Sequence, residues 1–225
     1  MMEAKELIAR RVALELRDRT LVNLGIGLPT LVARYVPKGI TISFQSENGI
    51  IGLGAPPPEG MEDPNLTDAG GGFISALPGA ASFDSGISFA LIRGGHLAVT
   101  VLGGLQVDAS GRLANWMVPG KLVPGMGGAM DLVAGAKRVI VAMQHSARSG
   151  PKIVQNLTLP PTAVRRVSLV VTEMAVIEPT PEGLLLRERA PGVSVDEIVA
   201  STGAQLLIIG DVSEMPIVVP DRVDA

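Results

Sequence analysis

The sequence predicts an α/β fold built on a largely parallel sheet, and three observations carry that expectation. A strand, a glycine turn, a helix and a second strand follow one another between Thr20 and Gln45. Short runs of Val, Ile and Leu bounded by Gly or Pro recur further along, as strands buried on both faces require. Hydrophobic residues make up 47% of the chain and aromatics only 3%, so the core is aliphatic. That composition suits parallel strands and close-packed helices.

Taken in order, residues 4–17 place Ala4, Ile8, Val12 and Leu16 at i+4 spacing, which predicts an amphipathic helix. Thr20–Leu24 reads as a short strand running into Gly25-Ile26-Gly27, and Pro29 suits the first turn of a helix. Pro37-Lys38-Gly39 ends that helix, and Ile40–Gln45 makes the next strand. This strand–helix–strand unit favours a parallel sheet. If the two strands are parallel, Asn23 and Glu47 share the carboxyl edge, where open α/β sheets bind ligands.

Residues 55–72, APPPEGMEDPNLTDAGGG, form a long loop that reads as functional or covering. Ser82–Ile92 is expected as a short helix and Leu97–Leu102 as a strand. Val107–Trp116 reads as a hairpin about Ser110-Gly111. The stretch VPGKLVPGMGGAMDLVAGA leads into a helix, and Arg138–Met143 and Ser168–Thr172 are buried strands. Ser194-Val195-Asp196-Glu197 has capping-box spacing for a helix that stops near Gly203. Leu206–Ile209 is a last strand. One domain over residues 1–225 is expected, with the tail after about residue 216 loosely held.

Composition narrows the chemistry. Cysteine is absent, which removes disulfides, zinc–thiolate sites and a thiol nucleophile together. Only His96 and His145 are available, too few for a histidine-based metal site, and no metal is expected. A net charge of −3 argues against nucleic acid as a partner. Uncharged stretches are broken by Gly and Pro and fall short of the ~20 residues a membrane span needs. The charged start MMEAKELIARR lacks a signal-peptide core, so a cytoplasmic protein is expected.

The candidate site lies in TISFQSENGIIGLG, residues 41–54, where Glu47 separates an alternating apolar run from a glycine-rich one. Asn48-Gly49 is a familiar turn pair, and a hairpin with a solvated tip is what the local pattern favours. The other reading is a single acid presented at a sheet edge. A Glu carboxylate there can attack an activated acyl group. NLGIGLP, residues 23–29, is a glycine turn opening a helix, either a plain strand-to-helix turn or one whose Gly25 and Gly27 face a phosphate-bearing ligand. It lacks the third glycine of a dinucleotide fingerprint and the Gly-Lys-Ser/Thr of a P-loop. GMGGAMD, residues 125–131, is a second such turn, whose N–H groups can hold an oxyanion or simply allow tight packing. Lys121 is placed to reach a phosphate or to be solvated. His96, His145 and Trp116 read as structural.

NLGIGLPT, SENGIIGLG, LPGAASFDS, FALIRGGH, GGLQVD, LANWMVPGKLVPGMGGAMDLV and MQHSA follow one another over most of the chain. In that order and spacing they resemble the B subunit of 3-oxoacid CoA-transferases, which is also the C-terminal half of the fused animal enzyme. The resemblance implies a three-layer α/β/α fold and a glutamyl-CoA thioester formed on Glu47. It implies that Asn23 and Gly128, with Gly127 next, line the reacting carbonyl. Coenzyme A is then a substrate and no cofactor is needed. The implied partners are acyl-CoA, small carboxylic acids and an A subunit, in an α2β2 assembly. Acetoacetate with succinate is the first expected acid pair, followed by acetate and 3-oxoadipate. A non-catalytic binding subunit of the same fold and a phosphate-sugar isomerase are the rivals. Gln144 departs from the family pattern, in which an acid often precedes the histidine, and the 55–68 loop has no clear counterpart.

Overall fold

The computed structural model of the chain describes residues 2–120 and 127–217. Segment 218–225, expected to be loosely held, lies outside the described residues. The first helix, α1 (Ala4–Ala13), is shorter than its periodicity. Beyond Ala13 the bonds tighten to i→i+3, from Glu15 N–H to Val12 O and from Leu16 N–H to Ala13 O. The chain then turns through Arg19, at φ +56°, into β1 (Thr20–Leu24). Pro29 does open a helix, but residues Leu28–Tyr35 are 3₁₀ rather than α. Strands β2 (Ile42–Ser46), β3 (Ile50–Leu53) and β4 (Ala76–Ser82) follow, and then α2 (Ser85–Arg93), capped by Asp84.

The next strand is β5 (Val99–Leu102), followed by the hairpin of β6 (Gln106–Asp108) and β7 (Leu113–Ala114). Helix α3 (Ala129–Gly135) leads into β8 (Arg138–Ala142). Short strands β9 (Ser146–Ala147), β10 (Gly150–Pro151) and β11 (Ile153–Val154) precede β12 (Leu169–Val171). A second hairpin, β13 (Ala175–Thr180) and β14 (Gly183–Arg189), was not expected. Its signal is the Pro181-Glu182-Gly183 turn between two apolar runs. The capping box at Ser194 and Glu197 opens α4 (Val195–Ser201), and β15 (Leu206–Leu207) and β16 (Ser213–Glu214) end the described chain.

The main sheet has a parallel centre, β2-β1-β5-β8-β12, and antiparallel pairs on both sides of it. Side chains alternate between two cores. Val99, Val101, Ile140 and Val171 pack with Ile8 and Val12 of α1 and Val32 of the 3₁₀ segment. Val139, Val141 and Val170 pack on the opposite face with Ile92 of α2, Leu132 of α3 and Ile198 of α4. Helices therefore cover both faces, and the three-layer expectation holds. Among the described residues no helix is long and apolar enough to cross a membrane.

Candidate active site

The strand that leads to Glu47 takes part in two pairings. β2 is parallel to β1, with Asn23 beside Gln45, and antiparallel to β3, with Ser46 beside Ile50. Glu47, Asn48 and Gly49 form the turn between them. The solvated hairpin and the carboxyl-edge acid were opposed readings, yet both geometries are present at once. Gly49 makes this possible. Its φ is +120°, and a Cβ there would collide with the Phe83 carbonyl oxygen. Phe83 N–H in turn donates to Gly49 O at 2.9 Å, which holds the turn against the start of α2.

Glu47 is half-buried, not solvated. Its Oε1 accepts the backbone N–H of Gly128 at 2.9 Å, where Gly128 caps α3. A Cβ at Gly128 would lie 2.6 Å from Oε2 and 2.8 Å from Cδ, so only glycine leaves room for the carboxylate. At φ −87° the constraint on Gly128 is steric and not conformational. Gly127 differs: it sits at φ +54°, and a Cβ would reach 3.5 Å from Oε1. Arg93 of α2 and Asp131 of α3 pair at 2.7 Å, tying the helix that carries Gly128 to the helix beside the hairpin.

Asn23 does not reach Glu47 by a hydrogen bond. Its Nδ2 donates to Gln45 Oε1 at 2.9 Å and to Gln45 O at 3.2 Å, while Thr100 Oγ1 donates to its Oδ1 at 3.2 Å. Gln45 Nε2 donates onward to Ser88 Oγ at 2.9 Å and to Ser46 O at 3.0 Å. All four side chains are buried, and sequence reading missed Gln45, Thr100 and Ser88. A polar residue at one register position of three neighbouring strands is the signal, visible only once the strands are paired.

The long loop is closed at its neck by Gly54 N–H to Ser75 O and Ser75 N–H to Ala55 O, at 2.7 and 3.0 Å. It returns over the hairpin. Ala69 N–H donates to Ser46 Oγ at 2.9 Å, and Asn48 Nδ2 donates to Thr67 O at 2.7 Å. Asp68 bends the loop by accepting the N–H groups of Gly70 and Gly72. The covering role expected of this segment matches that placement.

Of the other candidates, Gly25 N–H donates to Val101 O at 2.8 Å, and a Cβ there would crowd that carbonyl at 3.1 Å. Gly27 is exposed at φ +86°, with open space where a Cβ would be. Lys121 lies outside the described residues. His145 is fully buried, its Nδ1 3.0 Å from Thr172 Oγ1 and its Nε2 2.9 Å from Thr202 Oγ1. Burial pushes its imidazole down to about 4. Gln144 is exposed, and the carboxylate near the histidine is Glu173, which accepts His145 N–H at 2.9 Å. His96 is exposed, and Trp116 Nε1 donates to Pro161 O at 3.3 Å. Among the described residues, no cluster of three or more His, Cys, Asp or Glu is placed to hold a metal ion.

A carboxylate oriented by a backbone N–H, on a rigid turn beside a helix start, is equipped for nucleophilic work on an acyl group. Clefts of about 280 and 400 Å³ lie elsewhere, one around the Arg11/Glu188 ion pair and one beside Arg112 and Glu182. Neither includes Glu47.

The family described as Coenzyme A transferase matches residues 5–201. The beta subunit of the acetate CoA-transferase of Haemophilus influenzae is 55% identical, over 96% of this chain and 97% of the relative. The B subunit of the succinyl-CoA:3-ketoacid coenzyme A transferase of Helicobacter pylori is 49% identical, over 89% of this chain and 97% of its own. The solved apoenzyme of the acyl-CoA transferase YdiF of Escherichia coli O157:H7 shares the fold, with a TM-score of 0.76 at 24% identity. That match covers 95% of this chain and 43% of the solved one. This chain thus belongs to the coenzyme A transferase family, as an enzyme of the type to which those B and beta subunits belong.

Proposed function

We propose that this chain carries the nucleophile of a 3-oxoacid CoA-transferase that moves CoA between an acyl-CoA and a carboxylic acid. The observation that supports this reading most is the Glu47 carboxylate, held by the Gly128 N–H at the carboxyl edge of the parallel sheet. In the proposed first step a carboxylate oxygen of Glu47 attacks the thioester carbonyl. The C–S bond breaks, CoA leaves as thiolate, and a mixed anhydride remains. The thiolate then attacks the Glu47 carbonyl carbon and expels the substrate's carboxylate, which leaves a glutamyl-CoA thioester. A second carboxylate reverses both steps. Acyl activation is thus passed on, provided water is excluded.

The Gly128 N–H suits the second attack, because the oxyanion then develops on an oxygen of Glu47 itself. Gly127 lies next to the same oxygen. Asn23 is proposed to serve the substrate carbonyl through the amide proton that makes the longer bond, to Gln45 O. Gly27, exposed on the turn above, is proposed to face the CoA chain, while Gly25 packs against the Val101 carbonyl below it.

An A subunit is proposed to complete the pocket, in an α2β2 assembly. β4 supports this: it is an edge strand, residues 69–83 carry no charge, and Phe73 and Leu77 are exposed. Uncovered apolar edges of that kind belong in interfaces. The chain also spans only 43% of the solved acyl-CoA transferase chain. Succinate with acetoacetate remains the first acid pair proposed, and acetate stands beside it because a relative named for acetate is 55% identical.

The test is to incubate the assembled enzyme with acetoacetyl-CoA and no acceptor acid, then reduce with borohydride. The reading expects the peptide holding Glu47 to carry an alcohol at that residue. An active enzyme with no adduct, or with the label on another carboxylate, overturns it. A panel of acceptor acids then ranks succinate against acetate and 3-oxoadipate.

A further inference from the structure

The row of buried polar side chains beneath the hairpin has a direction. Thr100 donates to Asn23, Asn23 donates to Gln45, and Gln45 donates to Ser88 and to the carbonyl of Ser46. Exposure along it is 0% at Thr100, 3% at Asn23, 2% at Gln45 and 0% at Ser88. Reversing the Gln45 amide would set its NH₂ against the NH₂ of Asn23. Two donors would then face each other where no water can intervene. The Gln45 side chain, together with its own backbone carbonyl, therefore sets which way the Asn23 amide points.

The same side chain holds the turn. Ser46 O accepts Gln45 Nε2 at 3.0 Å and Gly49 N–H at 3.0 Å, and Glu47 is the residue that follows. One amide thus grips Asn23 with its oxygen and the base of the Glu47 turn with its nitrogen.

We propose that Gln45 is a positioning residue: it fixes the Asn23 amide relative to the Glu47 carboxylate and acts on the reaction only through them. This rests on the reading of Glu47 as nucleophile. Loss of the grip lets the reacting groups drift while the substrate-binding surface stays in place. An effect on kcat is expected, with little on KM.

The experiment is a double-mutant cycle in the assembled enzyme, with the A subunit present. Gln45→Met keeps the approximate shape and removes both the oxygen that accepts from Asn23 and the N–H donors to Ser46 O and Ser88. It should lower kcat roughly 10²-fold and leave KM for acyl-CoA within about threefold. Combined with Asn23→Ala, the loss should be clearly smaller than the product of the two single losses, because the part of the Gln45 effect that passes through Asn23 is already gone and only its hold on Ser46 O remains to be lost. Losses that multiply, a rise in KM alone, or a rate loss that merely follows the folded fraction would overturn the proposal.

If Gln45→Met does not fold, Gln45→Glu replaces it. A buried carboxylate cannot donate to Ser46 O, whereas its protonated form can. Its rate relative to the parent enzyme should then climb as pH falls, and a flat ratio counts against the assignment. The borohydride adduct, mapped in the parent enzyme, separates the two readings. A label away from Glu47 sinks the nucleophile and this proposal together. Multiplying losses with the label on Glu47 sink only the role of Gln45.

Discussion

The backbone N–H of Gly128 meets the carboxylate of Glu47 at 2.9 Å, although 81 positions separate them in the chain. The contact joins the turn after β2 to the start of α3. It gives each residue a distinct and testable job.

Gly128→Ala should fold, since φ −87° is open to any residue. Its methyl group would occupy the space of the carboxylate, so Glu47 must swing away. Activity is expected to fall by at least about 10²-fold, as for a nucleophile misplaced by 1 Å. The melting temperature of the purified chain should move little. A fully active Gly128→Ala enzyme would show that the carboxylate does not need this position.

Glu47→Gln preserves the shape and the acceptor for Gly128 but cannot form the anhydride. Turnover should vanish, with stability within roughly 0.5 kcal/mol of the parent, as for other substitutions that leave packing intact. Residual turnover well above background, in protein free of deamidation, would contradict a nucleophilic role.

Asn23→Ala should act on two levels. As a donor to the substrate carbonyl it is worth roughly 10²–10³ in turnover. Because Asn23 is buried, the change also strands Gln45 Oε1 and the Thr100 hydroxyl, at about 1–3 kcal/mol of stability. Urea titration beside single-turnover kinetics reports both, and a stability loss with unchanged turnover per folded molecule would leave Asn23 purely structural.

His145 links stability to acid. Its folded-state value is pushed by burial from 6.5 to about 4, so between those limits the unfolded chain binds a proton that the folded chain does not. Stability contributed by the neutral ring is full above about pH 6.5 and is lost as pH falls toward 4. The whole effect is about 3 kcal/mol. Denaturation midpoints at pH 7, 5.5 and 4.5 should fall more steeply for the parent chain than for His145→Gln. Equal slopes would show that burial does not shift the imidazole's titration in the fold.

The chain alone should not turn over. Mixing it with the A subunit should restore activity and shield β4 from exchange with deuterated water. Full activity from this chain alone would refute the two-subunit requirement.

Much of this was legible in the residues. The apolar spacing of α1, the capping box at Ser194 and Glu197, and the Gly/Pro boundaries of β1, β5 and β8 are local signals. They act within a few residues of where they are written. The motif around Glu47 and its distance from NLGIGLP and GMGGAMD pointed to the family. The β13–β14 hairpin was also written locally, in its Pro-Glu-Gly turn, and was missed.

What the sequence determined was the inventory: an aliphatic α/β chain, without thiols, with one acid set between a strand and a glycine run. What only the tertiary structure decided was how those pieces meet. Glu47 turned out to sit on a hairpin and at a parallel sheet edge together, because β2 pairs with β1 on one side and β3 on the other. Likewise Asn23 faces Gln45 and not the carboxylate, because strand register, which no local pattern records, sets Thr100, Asn23 and Gln45 in one row. Hydrogen bonds between neighbouring strands depend on which strands become neighbours, and that is settled by burying both faces of the sheet at once.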